Sequence, residues 1–422
     1  MQTNPGVNIT RLENGIKVVT DRMSSVDSVS LGAWFSAGTR NEAAHVNGVA
    51  HLLEHMVFKG TDQRSAREIV EQIELVGGHL NAYTSREQTA YFGRVLKDDT
   101  NLAIEILADI LQHSIFDKTE LHHERSVVIQ EIGQTLDTPD DVIFDYFQET
   151  AYPNQAMGRP VLGRAEIVSE ISRENILEFI IGNYATERLV FSAAGNVDHG
   201  QVVDTVETHF KTLSEKKPSV IESADYIGGD FRQMKDLEQV HILIGFPGVA
   251  YTHADFYALQ VLSMLLGGGM SSRLFQEVRE KRGLAYSIQS FTTSHRDGGL
   301  MGIYAGTGEH QILEMVPVIS DELNKIDCSD IEEEVYRSKI QLKSALLMSR
   351  EATSNRCEQL AQQLLIHKRV RSIDEIIGNV EEVDIGSVKR VIKNMLREAP
   401  TLAAIGPVSK LETYAKFEKR FG

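Results

Sequence analysis

Leu31-Gly-Ala-Trp-Phe-Ser-Ala-Gly38 is an apolar run that closes on a glycine, and Ile242-Leu-Ile-Gly-Phe-Pro-Gly248 repeats its form later in the chain. Aligning Phe35 with Phe246 sets an offset of 211 positions. Leu189-Val-Phe-Ser-Ala-Ala-Gly195 and Leu402-Ala-Ala-Ile-Gly406 place Gly195 against Gly406 with that same offset, which is half of the 422-residue chain. Two anchors sharing one offset indicate a duplicated unit of about 200 residues. The polar stretch between the copies carries Lys216-Lys-Pro218 and Gly228-Gly229, residues typical of linkers.

Within the first copy, 16–20, 28–35 and 91–95 read as strands from their β-branched and aromatic content. Segments 66–76, 100–113, 118–136 and 173–184 carry apolar residues at helical spacing. Strands and helices come in clusters without strict βαβ alternation, so the fold class is α+β. The expected division is a first α+β domain at 1–211, a linker at 212–232 and a homologous α+β domain at 233–422.

Sixty acidic residues against 43 basic ones give a net charge of −17, which argues against a nucleic-acid surface and favours basic partners. Two cysteines, Cys328 and Cys357, cannot build a disulfide framework, and a reducing compartment fits. No apolar run approaches the roughly 18 residues of a membrane span. Residues 1–6 lack the basic and apolar regions of a secretory signal and are not an Arg-rich presequence. The chain is therefore expected to be soluble and to stay where it is made.

The chemistry concentrates in Gly48-Val-Ala-His51-Leu-Leu-Glu54-His55-Met-Val-Phe58. Residues four apart share a helix face, so His51 and His55 can reach one ion, with Glu54 beside it. Imidazoles are standard zinc ligands, and a carboxylate next to an open coordination position can act as general base. The order His-x-x-Glu-His inverts the commoner His-Glu-x-x-His of zinc peptidases. The apolar residues around the motif predict a buried helix, and buried His, Glu and His side chains need a partner such as a metal. A third ligand is sought in 118–136, where Glu120, Glu124 and Glu131 are candidates and Glu124 and Glu131, two turns apart, share a face. His122 and His123 are rivals that read as solvent-facing. Shifted by 211, His51, Glu54, His55 and Glu131 become Leu262, Leu265, Leu266 and Leu342, so only the first copy can hold the metal.

These residues resemble the pitrilysin-type metallopeptidases, in particular the beta subunit of the mitochondrial processing peptidase and its bacterial single-chain relatives, over essentially the whole chain. The first marker is the motif followed by Glu124-Arg-Ser-Val-Val-Ile-Gln-Glu131. It implies one zinc per chain held by His51, His55 and Glu131, with Glu54 as general base and Glu124 as support. The second marker, Gly77-Gly-His-Leu-Asn81-Ala82-Tyr83-Thr84-Ser85, implies an edge strand beside the metal to which an extended peptide adds as a further strand.

The third marker, Ser272 to Tyr286, implies that Arg279 and Tyr286 hold the scissile carbonyl and its developing oxyanion. The fourth, Asp137-Thr-Pro-Asp-Asp141-Val-Ile-Phe-Asp145, implies that Asp141 and Asp145 receive a substrate arginine. The alpha subunits of processing peptidases carry a long glycine-rich loop, whereas only Gly267-Gly-Gly269 occurs here. The resemblance thus implies a zinc endopeptidase acting on unfolded or extended peptides, with its two domains facing across a cleft. A homodimer in the bacterial cytoplasm is expected, since no mitochondrial presequence is evident. The alternative is a catalytically silent or core-type structural subunit of a larger complex.

Overall fold

A computed structural model describes residues 6–213 and 221–421. Residues 214–220, including Lys216-Lys-Pro218, and the first five residues of the N-terminal reading lie outside the described residues. The chain forms two compact units, the first from 1–133, 159–222 and 348–372, the second from 134–158, 223–347 and 373–422.

The first unit is built on a six-stranded sheet of β1 (Val7–Arg11), β2 (Lys17–Arg22), β3 (Ser28–Phe35), β4 (His79–Thr84), β5 (Thr89–Leu96) and β6 (Leu189–Gly195), in the order β1-β2-β6-β3-β5-β4. β3 lies inside the sheet, antiparallel to β5 and β6, and seven of its eight residues are buried. That explains why its sequence is apolar throughout rather than alternating. Among the described residues β4 is an edge strand paired only with β5, from His79 opposite Arg94 to Thr84 opposite Thr89. One sheet face shares a single core with α1 (Val49–Met56), α2 (Ala66–Glu74), α3 (Thr100–Gln112) and α4 (Lys118–Asp137), a core that includes Leu31, Leu52, Leu53, Ile69, Leu107 and Val128. The opposite face is covered by the helix Thr353–His367, which presents Cys357, Leu360, Ala361, Leu364 and Leu365 to Val19, Trp34, Ala90, Val190 and Ala194. That i, i+3, i+4, i+7, i+8 spacing is the stripe a helix needs to lie on a sheet.

The second unit repeats the plan with β7 (Gly229–Met234), β8 (Val240–Pro247), β9 (Ala285–Ser294), β10 (Gly299–Thr307) and β11 (Thr401–Gly406), in the order β7-β11-β8-β10-β9. Its first strand opens at Gly229, inside the stretch read from sequence as linker. Helices Phe256–Gly267, Ile312–Cys328 and Ile385–Met395 fill one face. α5 (Pro139–Ala151) covers the other, with Val142, Ile143, Phe147 and Ala151 against Leu243, Leu300, Ala403 and Ile405. Each half of the chain therefore lends one helix to the sheet of the other half: α5 goes to the second sheet and Thr353–His367 to the first.

The duplication is visible in backbone detail. Gly195 and Gly406 end equivalent strands with φ of 130° and 122°, in the region that favours glycine. A Cβ on Gly195 would lie 2.2 Å from the Ser28 carbonyl oxygen, and one on Gly406 would lie 2.4 Å from that of Gln239. Ser28 and Gln239 are themselves 211 apart. The fold is mixed helix and sheet in two homologous domains.

Candidate metal centre

α1 carries the motif. Val49, Ala50, Leu52, Leu53 and Met56 are buried, which leaves His51, Glu54 and His55 along the remaining side. The helix starts at Gly48, whose φ is 101° and which has no side chain to cap the free N–H groups. Glu42 supplies the cap from outside the helix: Oε1 accepts from the Ala50 N–H at 2.8 Å, and Oε2 accepts from the Gly48 N–H at 3.0 Å and from Asn47 Nδ2 at 2.8 Å. A carboxylate here also meets the positive end of the helix dipole. Burial pushes its carboxyl up to about 7, against these donors and Arg159. Glu42→Ala is expected to cost about 2–4 kcal/mol, read as a lower unfolding midpoint, because three buried donors lose their acceptor.

Within the first unit His51, His55 and Glu131 form the one group of potential metal ligands found among the described residues, with ligand atoms all within 4.8 Å of one another. His51 Nε2 lies 3.8 Å and His55 Nε2 3.6 Å from Glu131 Oε2. Donors about 2.0–2.1 Å from one ion at tetrahedral angles stand roughly 3.4 Å apart, so the three fit a zinc-sized ion. The other ring nitrogen, His55 Nδ1, meets Glu124 Oε2 at 3.0 Å, and Lys59 Nζ holds Glu124 Oε1 at 2.7 Å. If Nδ1 carries the proton, the Nε2 lone pair faces Glu131, as a ligand requires. Burial first, and His55 second, push His51 down to about 4, which keeps its imidazole neutral. His122 and His123 are exposed, and Glu120 is outside the ligand group.

Glu54 stands on the same helix, and its Oε2 accepts from the Thr84 hydroxyl of β4 at 2.5 Å. Burial raises its carboxyl above the ordinary range, and the Thr84 bond opposes that rise. Along β4, Asn81 Oδ1 accepts from the Ala82 N–H at 2.8 Å, and Tyr83 turns to the opposite face, where its hydroxyl donates to Glu358 at 2.9 Å. β4 has no second strand partner among the described residues.

The remaining singled-out residues lie in the second unit. Arg279 lies in a wide helical turn, Phe275–Glu280, where the Lys281 N–H reaches the Gln276 carbonyl at 3.0 Å in an i→i+5 bond. Such turns occur frequently at functional sites. Its guanidinium lies 5.4 Å from the ring centre of Tyr286, which is 77% exposed, and 4.8 Å from that of Phe275. Asp141 and Asp145 lie one helical turn apart on α5, the first exposed and the second half-buried. The counterparts of the metal residues, Leu262, Leu265 and Leu266, are fully buried, and Leu342 packs against the same core.

Glu42, Lys59 and Glu358 were not singled out from sequence. Lys59 could have been, since it follows His55 by four residues. Glu42 acts across a loop, and Glu358 lies 275 positions from Tyr83, so no local spacing reveals either.

An inverted His-x-x-Glu-His helix with a glutamate from a second helix beside it, on a duplicated α+β fold, carries the donor types of a zinc site. Residues 17–165 match the family model Insulinase (Peptidase family M16), and residues 170–342 match Peptidase M16 inactive domain. The chain belongs to the M16 peptidase family, and relatives of it are named as zinc proteases and as mitochondrial-processing peptidase beta subunits. It is 38% identical to an "Uncharacterized zinc protease" of Rickettsia felis over 95% of this chain and 97% of that protein. It is 35% identical to the mitochondrial-processing peptidase subunit beta of Mus musculus, over 97% of this chain and 86% of that one. A protease from Helicobacter pylori shares the fold with a TM-score of 0.87 at 23% identity, covering 95% of this chain and 99% of that one. No helix among the described residues is long and apolar enough to cross a membrane.

Proposed function

We propose that this chain is a zinc endopeptidase that cuts unfolded or extended peptides, with one zinc per chain held by His51, His55 and Glu131. The observation that carries the reading is the convergence of His51 Nε2, His55 Nε2 and Glu131 Oε2 beside the Glu54 carboxyl. Zinc, when bound, polarises a peptide carbonyl and makes water acidic near neutral pH. Glu54 takes the proton from the attacking water and returns it to the leaving amide nitrogen. Thr84 donates to Oε2 and so holds the carboxyl group in place beside the metal donors. Glu124 holds His55 in the ligating orientation and is itself neutralised by Lys59.

The substrate adds to β4 at Asn81, Ala82, Tyr83 and Thr84, replacing the local bond between Asn81 Oδ1 and the Ala82 N–H with peptide carbonyls. We assign Arg279 and Tyr286 to the carbonyl oxygen as it gains charge. Arg279→Ala and Tyr286→Phe are each expected to lower kcat by about 10²–10³ while zinc content stays constant. Asp141 and Asp145 receive a substrate arginine near the bond cut. Asp141→Asn with Asp145→Asn is expected to scatter the cleavage position, as mapped by mass spectrometry of the products. A product pattern identical to the parent's refutes this receptor.

The intact set of His51, Glu54, His55 and Glu131 favours an active enzyme over a silent subunit. The mitochondrial relatives are named as subunits, and a homodimer is the assembly we assign to this chain. Light scattering showing a monomer at working concentration contradicts it. Two thiols without a disulfide, Cys328 exposed and Cys357 buried, support a reducing compartment, and we place the chain in the cytoplasm. The function is tested by cleavage of a panel of unstructured peptides with and without a chelator. Metal-dependent cleavage is expected, and a panel left uncut by the zinc-loaded chain overturns the reading.

A further inference from the structure

β4 is tied on both of its faces. On the face toward α1, Thr84 donates to Glu54. On the other, the Tyr83 hydroxyl donates to Glu358 Oε1 at 2.9 Å, and Gln362 Nε2 donates to the same oxygen at 3.0 Å. Glu358 and Gln362 sit on Thr353–His367, the helix that the second half of the chain contributes to the first sheet. Tyr83 also tilts against Phe92 with ring centres 6.0 Å apart, and Phe92 stacks on Trp34 at 6.3 Å. A cavity of about 150 Å³ lies beside this contact, lined by Trp34, Tyr83, Phe92, Cys357 and Glu358 among others.

We propose that Glu358 is a positioning residue for the substrate strand, setting through Tyr83 where the edge of β4 stands relative to Glu54 and the three metal donors. This rests on the reading that β4 receives the peptide. Successive strand residues point to opposite faces, so the Tyr83 tie fixes the backbone that Ala82 and Thr84 share with it. An edge strand has a ladder on one side only and opens at low free energy unless its side chains are held. Burial first, and the Glu358 charge second, raise the Tyr83 hydroxyl, so it stays a donor. A neutral donor to a carboxylate is a strong form of hydrogen bond. Without Glu358 the ring has the adjacent cavity to turn into, and the free edge of β4 is less firmly held although its pairing with β5 remains. A peptide would then have to order the strand as it binds. That cost falls equally on bound substrate and transition state, so it raises KM and leaves kcat in place.

The test compares Tyr83→Phe, Glu358→Ala, Glu358→Gln and the double variant Tyr83→Phe with Glu358→Ala, in the zinc-loaded full chain, on one unstructured peptide. Tyr83→Phe and Glu358→Ala are each expected to raise KM roughly tenfold with kcat and zinc content unchanged, the loss of one charge-assisted hydrogen bond. Glu358→Gln keeps an acceptor and is expected within about twofold of the parent. The double variant should be no worse than either single one, since both remove the same bond. An unchanged KM in Glu358→Ala, or effects that multiply, overturns the proposal. Should Glu358→Ala fail to fold, Tyr83→Phe decides alone, because it keeps the ring and removes only the hydroxyl. Amide hydrogen exchange at 81–84 without peptide gives a second reading: faster exchange in the variants supports the tie, and parental exchange refutes it. If the parent chain cuts no peptide, the proposed function fails, and the exchange rates still decide the role of Glu358.

Discussion

Glu54→Gln is expected to lower kcat by about 10²–10⁴ while zinc binding is retained, because it removes the proton acceptor and leaves the ligand set whole. The substitution is nearly isosteric, and the amide carbonyl can still accept from the Thr84 hydroxyl, whose bond to Glu54 Oε2 is 2.5 Å long. β4 should therefore stay in place and KM should move little. Burial raises the Glu54 carboxyl, so the group at this position is already poised toward taking a proton. An amide cannot take one. Zinc analysis beside initial rates checks both halves of the expectation. Turnover within tenfold of the parent would give the base to another residue.

Removing Glu131 is expected to have the next largest effect, on metal rather than on rate. Glu131 Oε2 is the oxygen that lies 3.8 and 3.6 Å from the two imidazole nitrogens, and no other carboxylate joins that group among the described residues. Glu131→Ala should weaken zinc binding by more than the roughly 10–100-fold typical of losing a residue that only supports a ligand. Glu124→Gln should fall within that smaller range, because Glu124 touches His55 Nδ1 and lies outside the ligand group. Competition with a chromogenic chelator ranks the two. A larger loss in Glu124→Gln would exchange their roles, and equal losses would refute the distinction between ligand and support.

Much of this was legible in the sequence because it is local or periodic. The motif on α1 and the seven-residue step from Glu124 to Glu131 each occupy one short window, and the edge strand after Gly77-Gly78 was implied by the resemblance. The duplication showed itself as one offset at two anchors, and the structure repeats it in sheet order and in the φ of Gly195 and Gly406. The exchanged helices were not legible. The spacing of Cys357, Leu360, Ala361, Leu364 and Leu365 declares an apolar face, but nothing in that spacing says that β3 and β6 of the other half will cover it. For the same reason the Tyr83–Glu358 contact, 275 positions long, and the capping of α1 by Glu42 emerge only when the chain is folded. The His51, Glu54 and His55 motif and the candidate glutamates were read from side-chain type and spacing, while the choice of Glu131 and the proposed roles of Arg279, Tyr286, Asp141 and Asp145 came from the family resemblance. Residues that hold the chemistry in place act through long-range packing, which spacing does not encode.

The central claim is that peptide cleavage depends on one zinc per chain in the first unit. The most direct measurement strips the protein of metal and titrates zinc back while following cleavage of one unstructured peptide. Activity is expected to be absent without metal, to rise in proportion to added zinc, and to saturate at one equivalent per chain. Cleavage that persists in the stripped protein, or a fully zinc-loaded chain that leaves the peptide intact, would contradict the account.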